Sequence, residues 1–306
     1  MGSHHARVIA QSNRADLALL VDPRESVGGP VAERFGAAWA PELPSLEGID
    51  AVVVAAATEA HHALAMQVLS QDTPLLIEKP VADSLLKTRE IIELADQRDL
   101  PLLCGLLERY NPAVMTARTV IENPLHVTAV RHSPYAPRIR TGVAWDLLVH
   151  DVDLAINLVG SAPVTVDARL GYFHPDSADH AEDVAETLLG FEGGALAQVS
   201  ASRIGQRKIR QLSVYEHGRL VEIDLLRRDV TVYHHVSESA VDEGRGYRQQ
   251  TIIEIPELVT SQEPLTTQFA HFLDVIEGTV DAAAERATIL PSHEVIEHAT
   301  ASQPRT

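Results

Sequence analysis

The sequence predicts a doubly wound α/β domain built on a parallel sheet. An α+β domain with an open, mainly antiparallel sheet follows. Three observations predict this. Short apolar runs alternate with helix-period stretches as far as Asn111-Pro112, and strands separated by helices pair in parallel through crossovers. Beyond Leu125 strands outnumber helices, and tight turns join several of them, which pairs neighbours antiparallel. The 306 residues, 45% hydrophobic and 22% charged, hold enough apolar material for two cores and exclude a disordered chain. The domains are read as residues 1–111 and 112–306.

In order, His5–Ala10 reads as helix and Leu17–Val21 as a buried strand ending at Asp22-Pro23. A short helix is expected over Val31–Phe35, a valine-rich strand over Ala51–Ala57 and a helix over His62–Ser70. Pro74–Ile77 is a strand, Ser84–Arg98 a helix with Ile91 and Ala95 on its apolar face, and Leu102–Leu106 a strand. A helix follows Asn111-Pro112 to Ile121. The strands of the second domain are Val127–Arg131, Val164–Tyr172, Thr187–Phe191, Ala195–Ser200, Arg210–Glu216, Arg219–Leu225, Val230–Tyr233 and Gln250–Ile255. Glu192-Gly193-Gly194 and His217-Gly218 are hairpin turns. Helices are expected over Ala144–Val159 and Leu265–Glu277, and polar loops over Asp176–Asp183 and Ser237–Arg248.

With 25 Lys+Arg against 43 Asp+Glu, the formal charge is −18, which repels phosphate backbones and anionic lipid and argues against nucleic acid and membranes as partners. No apolar run approaches the roughly 20 residues of a membrane span. Cys104 is the only cysteine, which fits a reducing cytoplasm and excludes a cysteine-rich zinc site. The opening Met1-Gly2-Ser3-His4-His5 is similar to the start of an expression tag, but it runs directly into the first helix and is read as native.

Polar residues gather at strand ends, where parallel sheets bind their ligands. Asp22 lies 20 residues past Gly2, the spacing of a ribose-binding acid after the last glycine of a dinucleotide loop; its charge favours NAD over NADP, a preference that Arg24 nearby weakens, and an aspartate before a proline is also an ordinary turn former. Thr58 and His61 follow the second strand, and Arg109-Tyr110-Asn111-Pro112 follows Leu102–Leu106. Glu78-Lys79-Pro80 ends the strand Pro74–Ile77, and a lysine there can stabilise an alkoxide. On the helix over Ala144–Val159, Asp146, His150, Asp153 and Asn157 form one polar stripe, so that a carboxylate sits one turn from an imidazole, as acid–base chemistry requires. A solvated helix face has the same pattern. With no third ligand in view, no metal site is expected.

Taken in order, Asp22-Pro23, Thr58-Glu59-Ala60-His61, Glu78-Lys79-Pro80, Glu108-Arg109-Tyr110-Asn111-Pro112, Asp146-x-x-x-His150-Asp151-x-Asp153 and Glu263-Pro264-Leu265 resemble the glucose–fructose oxidoreductase / inositol dehydrogenase (Gfo/Idh/MocA) family over essentially the whole chain. The resemblance implies a Rossmann domain for NAD, with NADP less favoured, and a second domain whose sheet makes a homodimer or homotetramer. It implies catalysis by Lys79, Asp146 and His150, and cofactor contacts from Gly2, Asp22, Thr58, His61, Glu78 and Lys79. The expected activity is hydride transfer between nicotinamide and a secondary alcohol of a sugar, nucleotide sugar or polyol. Glu108–Pro112 and Arg131–Asp153 most resemble members acting on nucleotide sugars, with Arg109 and Asn111 toward the substrate; Arg131, Tyr135 and Arg138 either meet a diphosphate or form surface ion pairs. The resemblance also implies that a first strand and most of the glycine loop precede Met1. A chain without them would be a non-catalytic member that binds a sugar or a partner protein.

Overall fold

A computed structural model of the chain describes residues 1–137, 139–178, 181–239 and 247–301. They gather into two compact units, Met1–Leu107 with Glu263–His293, and Glu108–Gln262 with the residues from Glu294.

The first unit opens with α1 (Gly2–Ala10), β1 (Leu19–Val21), α2 (Glu25–Phe35) and β2 (Ala38–Ala40). It continues with β3 (Val52–Val54), α3 (Thr58–Leu69), β4 (Leu75–Ile77), α4 (Leu85–Gln97) and β5 (Leu102–Cys104). Every residue of β4 and β5 is buried, as in a parallel sheet covered on both faces. The parallel strands form two sheets, β1-β2 and β3-β4-β5. Among the described residues no ladder joins β1 to β3, so the single sheet expected is divided at that place.

Two local features escaped the sequence pattern. The strand β2 was not anticipated, and α2 starts six residues before Val31, running through Gly28-Gly29-Pro30. Packing explains the glycine: a Cβ on Gly28 would stand 2.7 Å from the Trp39 indole nitrogen, so only glycine lets α2 lie against β2. By contrast α4 follows its signals, with the Ser84 hydroxyl accepting from the Lys87 amide at its N-terminus.

A 3-10 turn at Leu107–Tyr110 leads into the second unit, where α5 (Pro112–Val120) follows, its cap the Asn111 side chain. Next come β6 (His126–His132), a π-helical turn at Ala144–Leu148 and α6 (Val149–Val159). The strands β7 (Pro163–Gly171), β8 (Val184–Phe191), β9 (Leu196–Ser202), β10 (Ile209–Glu216), β11 (Arg219–Asp224), β12 (Asp229–Ser239) and β13 (Tyr247–Glu254) follow. They make one sheet in the order β13-β12-β11-β10-β6-β9-β8-β7, antiparallel except for β6 beside β9. Gly193 and Gly194 between β8 and β9, and Gly218 between β10 and β11, have φ of 93°, 90° and 83°, a backbone that tight hairpins need and glycine supplies without strain. The loop expected over Ser237–Arg248 is corrected at both ends: the backbone of 237–239 completes β12 and that of 247–248 begins β13, while 240–246 lie outside the described residues.

The chain then forms α7 (Pro264–Ile276), α8 (Ala282–Ala287) and α9 (Leu290–Ala301), the last two unanticipated. Expected in the second domain, α7 belongs to the first unit. Its Leu265, Phe269, Phe272 and Leu273 pack on Val8 of α1, Leu76 of β4 and Leu103 of β5. Arg286 of α8 reinforces this, bonding Asp96 and the Leu100 carbonyl at 2.6 Å each. An apolar stripe announces that a helix packs, not which sheet it packs on.

Carboxylates give the fold an acid-sensitive side. Burial pushes Glu108, Asp183 and Glu216 up, but their donors win and hold all three below the ordinary range: Arg131 at Glu108, the His174 amide and Ser177 hydroxyl at Asp183, the Asn123 amide and Arg219 at Glu216. Each binds its proton less readily folded than unfolded. Their contribution is complete above the unfolded value and is lost as the pH falls toward the lower folded values. Urea midpoints measured from about pH 7 to about pH 3 should therefore fall steeply below roughly pH 4.5.

Candidate active site

In the first unit the end of β4 passes directly into Glu78-Lys79-Pro80, with the Glu78 amide donating to the Val54 carbonyl at 2.9 Å and a cis Lys79-Pro80 peptide. Three buried histidines hold the segment. His5 Nε2 meets Glu78 Oε1 at 2.7 Å, His61 Nδ1 donates to the Pro80 carbonyl at 2.8 Å, and His293 Nε2 accepts from the Val81 amide at 3.3 Å. His293 Nδ1 in turn donates to the Ile289 carbonyl at 2.8 Å, which fixes its tautomer. His61 Nε2 also faces the Ala56 carbonyl at 3.2 Å, so this ring joins the end of β3 to the lysine loop. The half-buried Lys79 thus sits between anchored neighbours. Gly105 belongs to the same arrangement, since a Cβ there would lie 2.9 Å from the Glu78 Cα. His5 is itself buried in this framework.

At the end of β1 the Asp22 carboxylate accepts from the Arg24 amide at 2.9 Å and its Nε at 3.2 Å, and these bonds hold it below the usual carboxylate range. Thr58 is the first residue of α3, just past β3. Gly2 begins α1, whose N-terminus has no side-chain cap and no acid in its first turn; a Cβ on Gly2 would meet open space.

In the second unit Asp146 lies in the π-helical turn and His150 in the first turn of α6, both half-buried. A π-turn closes a little wider than an α-turn, so residues four apart still share a side of the helix. The Asp146 carboxylate is fixed by Arg203, whose Nη2 donates at 3.0 Å while Nη1 donates to the Thr141 carbonyl at 2.7 Å. Glu182 caps the turn: its carboxylate accepts from the Ala144 amide at 2.7 Å and its carbonyl from the Val143 amide at 3.0 Å. Burial raises Glu182 above its ordinary range. A Cβ on Gly142 would come within 2.0 Å of this carboxylate, which explains the glycine.

The polar stripe is therefore divided. Asp146 and His150 stay half-buried, while Asp153 is buried against Arg109 in a bidentate pair at 2.7 and 2.5 Å. Asp151 is likewise buried against Arg131 at 2.7 and 2.8 Å. Arg131 also donates to Glu108 at 2.8 Å, and Asn111 bonds Glu108, the Leu225 carbonyl and the Ala113 amide. The expectation that Arg109, Asn111 and Arg131 face a substrate is corrected on this point: burying a guanidinium requires carboxylate partners, and these side chains have them inside the unit. Tyr135 is placed differently. Its ring stacks on His174 at 3.6 Å between centroids and its hydroxyl donates to the Asp176 carbonyl. It lines a cavity of about 290 Å³ with Pro137, Ile139, Arg140 and Ser177. Arg138 lies outside the described residues. The sequence reading missed Arg203, Glu182 and Arg210; the available signal was Arg210 at an inward position of β10, in register with Leu212 and Val214.

Among the described residues no cluster of His, Cys, Asp or Glu is arranged to hold a metal ion. Two family models of one oxidoreductase group match consecutive parts of the chain. The first, described as an oxidoreductase family with an NAD-binding Rossmann fold, spans residues 1–106, and the matching C-terminal domain spans 114–220. The chain belongs to the Gfo/Idh/MocA oxidoreductase family. Its Gfo/Idh/MocA relatives include UDP-N-acetylglucosamine 3-dehydrogenase of Acidithiobacillus ferrooxidans, 28% identical over 76% of this chain and 74% of that one. Another is myo-inositol 2-dehydrogenase of Thermotoga maritima, 26% identical over 73% and 69%. A solved structure of the Acidithiobacillus enzyme matches with a TM-score of 0.83 at 25% identity, over 98% of this chain and 95% of that one. Levoglucosan dehydrogenase, solved with NADH and levoglucosan, shares the fold at 17% identity and a TM-score of 0.79, covering 98% and 94%.

NAD is the cofactor of this Gfo/Idh/MocA Rossmann unit, and the residues present fit it. The open, uncapped N-terminus of α1 suits a pyrophosphate, and the Asp22 carboxylate at the end of β1 suits ribose hydroxyls.

Proposed function

We propose that this oxidoreductase oxidises a secondary alcohol of a nucleotide sugar, with Lys79, Asp146 and His150 as its catalytic residues. One observation carries the reading: of the acids at positions 146, 151 and 153, two are buried in bidentate pairs with arginines, while Asp146 remains half-buried one turn from His150. Gly2 and Asp22 would hold NAD, with Thr58 alongside, and Glu78 and His61 set the loop that carries Lys79. When bound, NAD supplies the hydride acceptor. His150 takes the hydroxyl proton as the carbonyl forms, Lys79 hydrogen-bonds the oxygen while it bears negative charge, and Asp146 orients the imidazole and stabilises its protonated form. The non-catalytic alternative is not favoured, because all three groups are present.

Purified protein mixed with NAD and either UDP-N-acetylglucosamine or myo-inositol tests the reading. NADH should accumulate with the nucleotide sugar; accumulation with inositol alone removes the substrate assignment, and none with any sugar or polyol removes the catalytic one. Replacing Asp22→Ser removes the charge that repels a 2′-phosphate. The ratio of kcat/KM for NAD to that for NADP should drop about tenfold or more, a change worth roughly 1.4 kcal/mol.

Val164, Leu188, Leu196, Tyr215 and Ile253 project exposed apolar surface from the strands of the large sheet, which supports a homodimer or homotetramer formed through it. Light scattering on the purified chain reads that state. A cytoplasmic setting fits a chain whose only cysteine is Cys104, which therefore forms no intrachain disulfide.

A further inference from the structure

We propose that Arg210 anchors an anionic group of the substrate, a phosphate of its diphosphate, beside Asp146. This rests on the dehydrogenase reading and names the substrate class of the same site. Three neighbouring strands bring guanidinium groups to one end of the sheet: Arg203 directly after β9, Arg131 on β6 and Arg210 on β10. Arg210 stands directly opposite Arg131, and the last pair of β6 and β9 is His132 with Ser202, next to Arg203. Like charges in directly opposed positions of a sheet destabilise it unless they are neutralised.

The neutralisation is unequal. Arg131 spends all three of its nitrogens, on both oxygens of Asp151 and on Glu108. Arg203 spends both terminal nitrogens, on Asp146 and the Thr141 carbonyl. Arg210 has one bond, 3.2 Å to the same Glu108 oxygen that Arg131 holds at 2.8 Å. Among the described residues its Nε and Nη2 have no protein acceptor. The side chain is 38% exposed, so a ligand can reach it. Burial and the charge of Arg131 pull Arg210 below its ordinary range, against the attraction of Glu108, Asp151 and Asp146. A cation placed so close to another, tied by a shared oxygen and offering adjacent N–H groups, matches the fork that binds phosphate oxygens. A neutral polyol supplies no such partner. In a chain of net charge −18, a site for an anion also needs a local cation of this kind.

Calorimetric titration of the full chain, saturated with NADH, which cannot accept a hydride, tests this without turnover. The probes are UDP-N-acetylglucosamine and neutral N-acetylglucosamine, each with wild type, Arg210→Gln and Arg210→Lys. The wild type should bind the nucleotide sugar at least about tenfold more tightly than the neutral sugar. Arg210→Gln should weaken nucleotide-sugar binding about tenfold or more and leave NAD affinity unchanged, with Arg210→Lys between them because it keeps the charge and loses the fork. Equal binding by wild type and Arg210→Gln overturns the proposal, as does a wild type that does not prefer the phosphorylated sugar. Tight, Arg210-dependent binding with no NADH formed would sink the dehydrogenase reading and leave this one standing; inositol oxidation without nucleotide-sugar binding would do the reverse.

Discussion

Lys79→Ala lowers kcat by about a hundredfold to a thousandfold or more, the usual cost of removing one group that stabilises a developing oxyanion. The fold should survive. The three imidazole bonds that set the loop go to Glu78, Pro80 and Val81, so truncating Lys79 leaves them in place. Far-ultraviolet dichroism and the thermal midpoint should match the wild type while NADH formation with the preferred sugar disappears. Lys79→Arg should not restore it, because a guanidinium neither occupies the same point nor exchanges a proton near neutral pH. A Lys79→Ala protein keeping more than about half of the wild-type kcat would remove Lys79 from the mechanism, since even a modest electrostatic role costs more than that.

Arg131→Ala destabilises the second unit by about 3–5 kcal/mol, because it strips the partner from a carboxylate that is 1% exposed. Asp151, whose carboxyl is already pushed above its ordinary range by burial, would be left dry and without its partner, and Glu108 would keep only its longer bond to Arg210 and its contact with Asn111. The combined Arg131→Met, Asp151→Leu variant should recover much of the loss, since well-packed apolar side chains replace a buried ion pair at little cost. Urea denaturation of the three proteins reads these differences. A single-variant loss below about 1 kcal/mol would mean that water reaches Asp151, contrary to its burial.

The two variants mark what the sequence discloses and what it withholds. Lys79 was legible because a valine-rich strand, a helix and a second apolar strand put it at a sheet's ligand-facing end, and the helical spacing of Asp146 and His150 needed no tertiary knowledge. Arg131 and Arg109 were misplaced because a sequence reports a guanidinium but not the carboxylate it will meet. Their partners lie 20 and 44 residues further on, on α6. Arg203 and Glu182 flank separate strands and support Asp146 only after the sheet forms, so no spacing rule reaches them. The extent of α2 was hidden for a related reason: Gly28 is required by the Trp39 side chain, and a contact with a distant indole looks, in one dimension, like a loop signal.

The return of α7 and α8 to the first unit sets an order of events during synthesis. Val8, Leu76 and Leu103 meet the α7 aromatic residues only after the ribosome has translated through Phe272, so nascent chain that has already supplied both parallel sheets must wait, incompletely covered, while the other unit is made. Such a nascent intermediate is a natural client for chaperones. Cutting the gene after codon 107 should accordingly yield an aggregating fragment instead of a free-standing nucleotide-binding module.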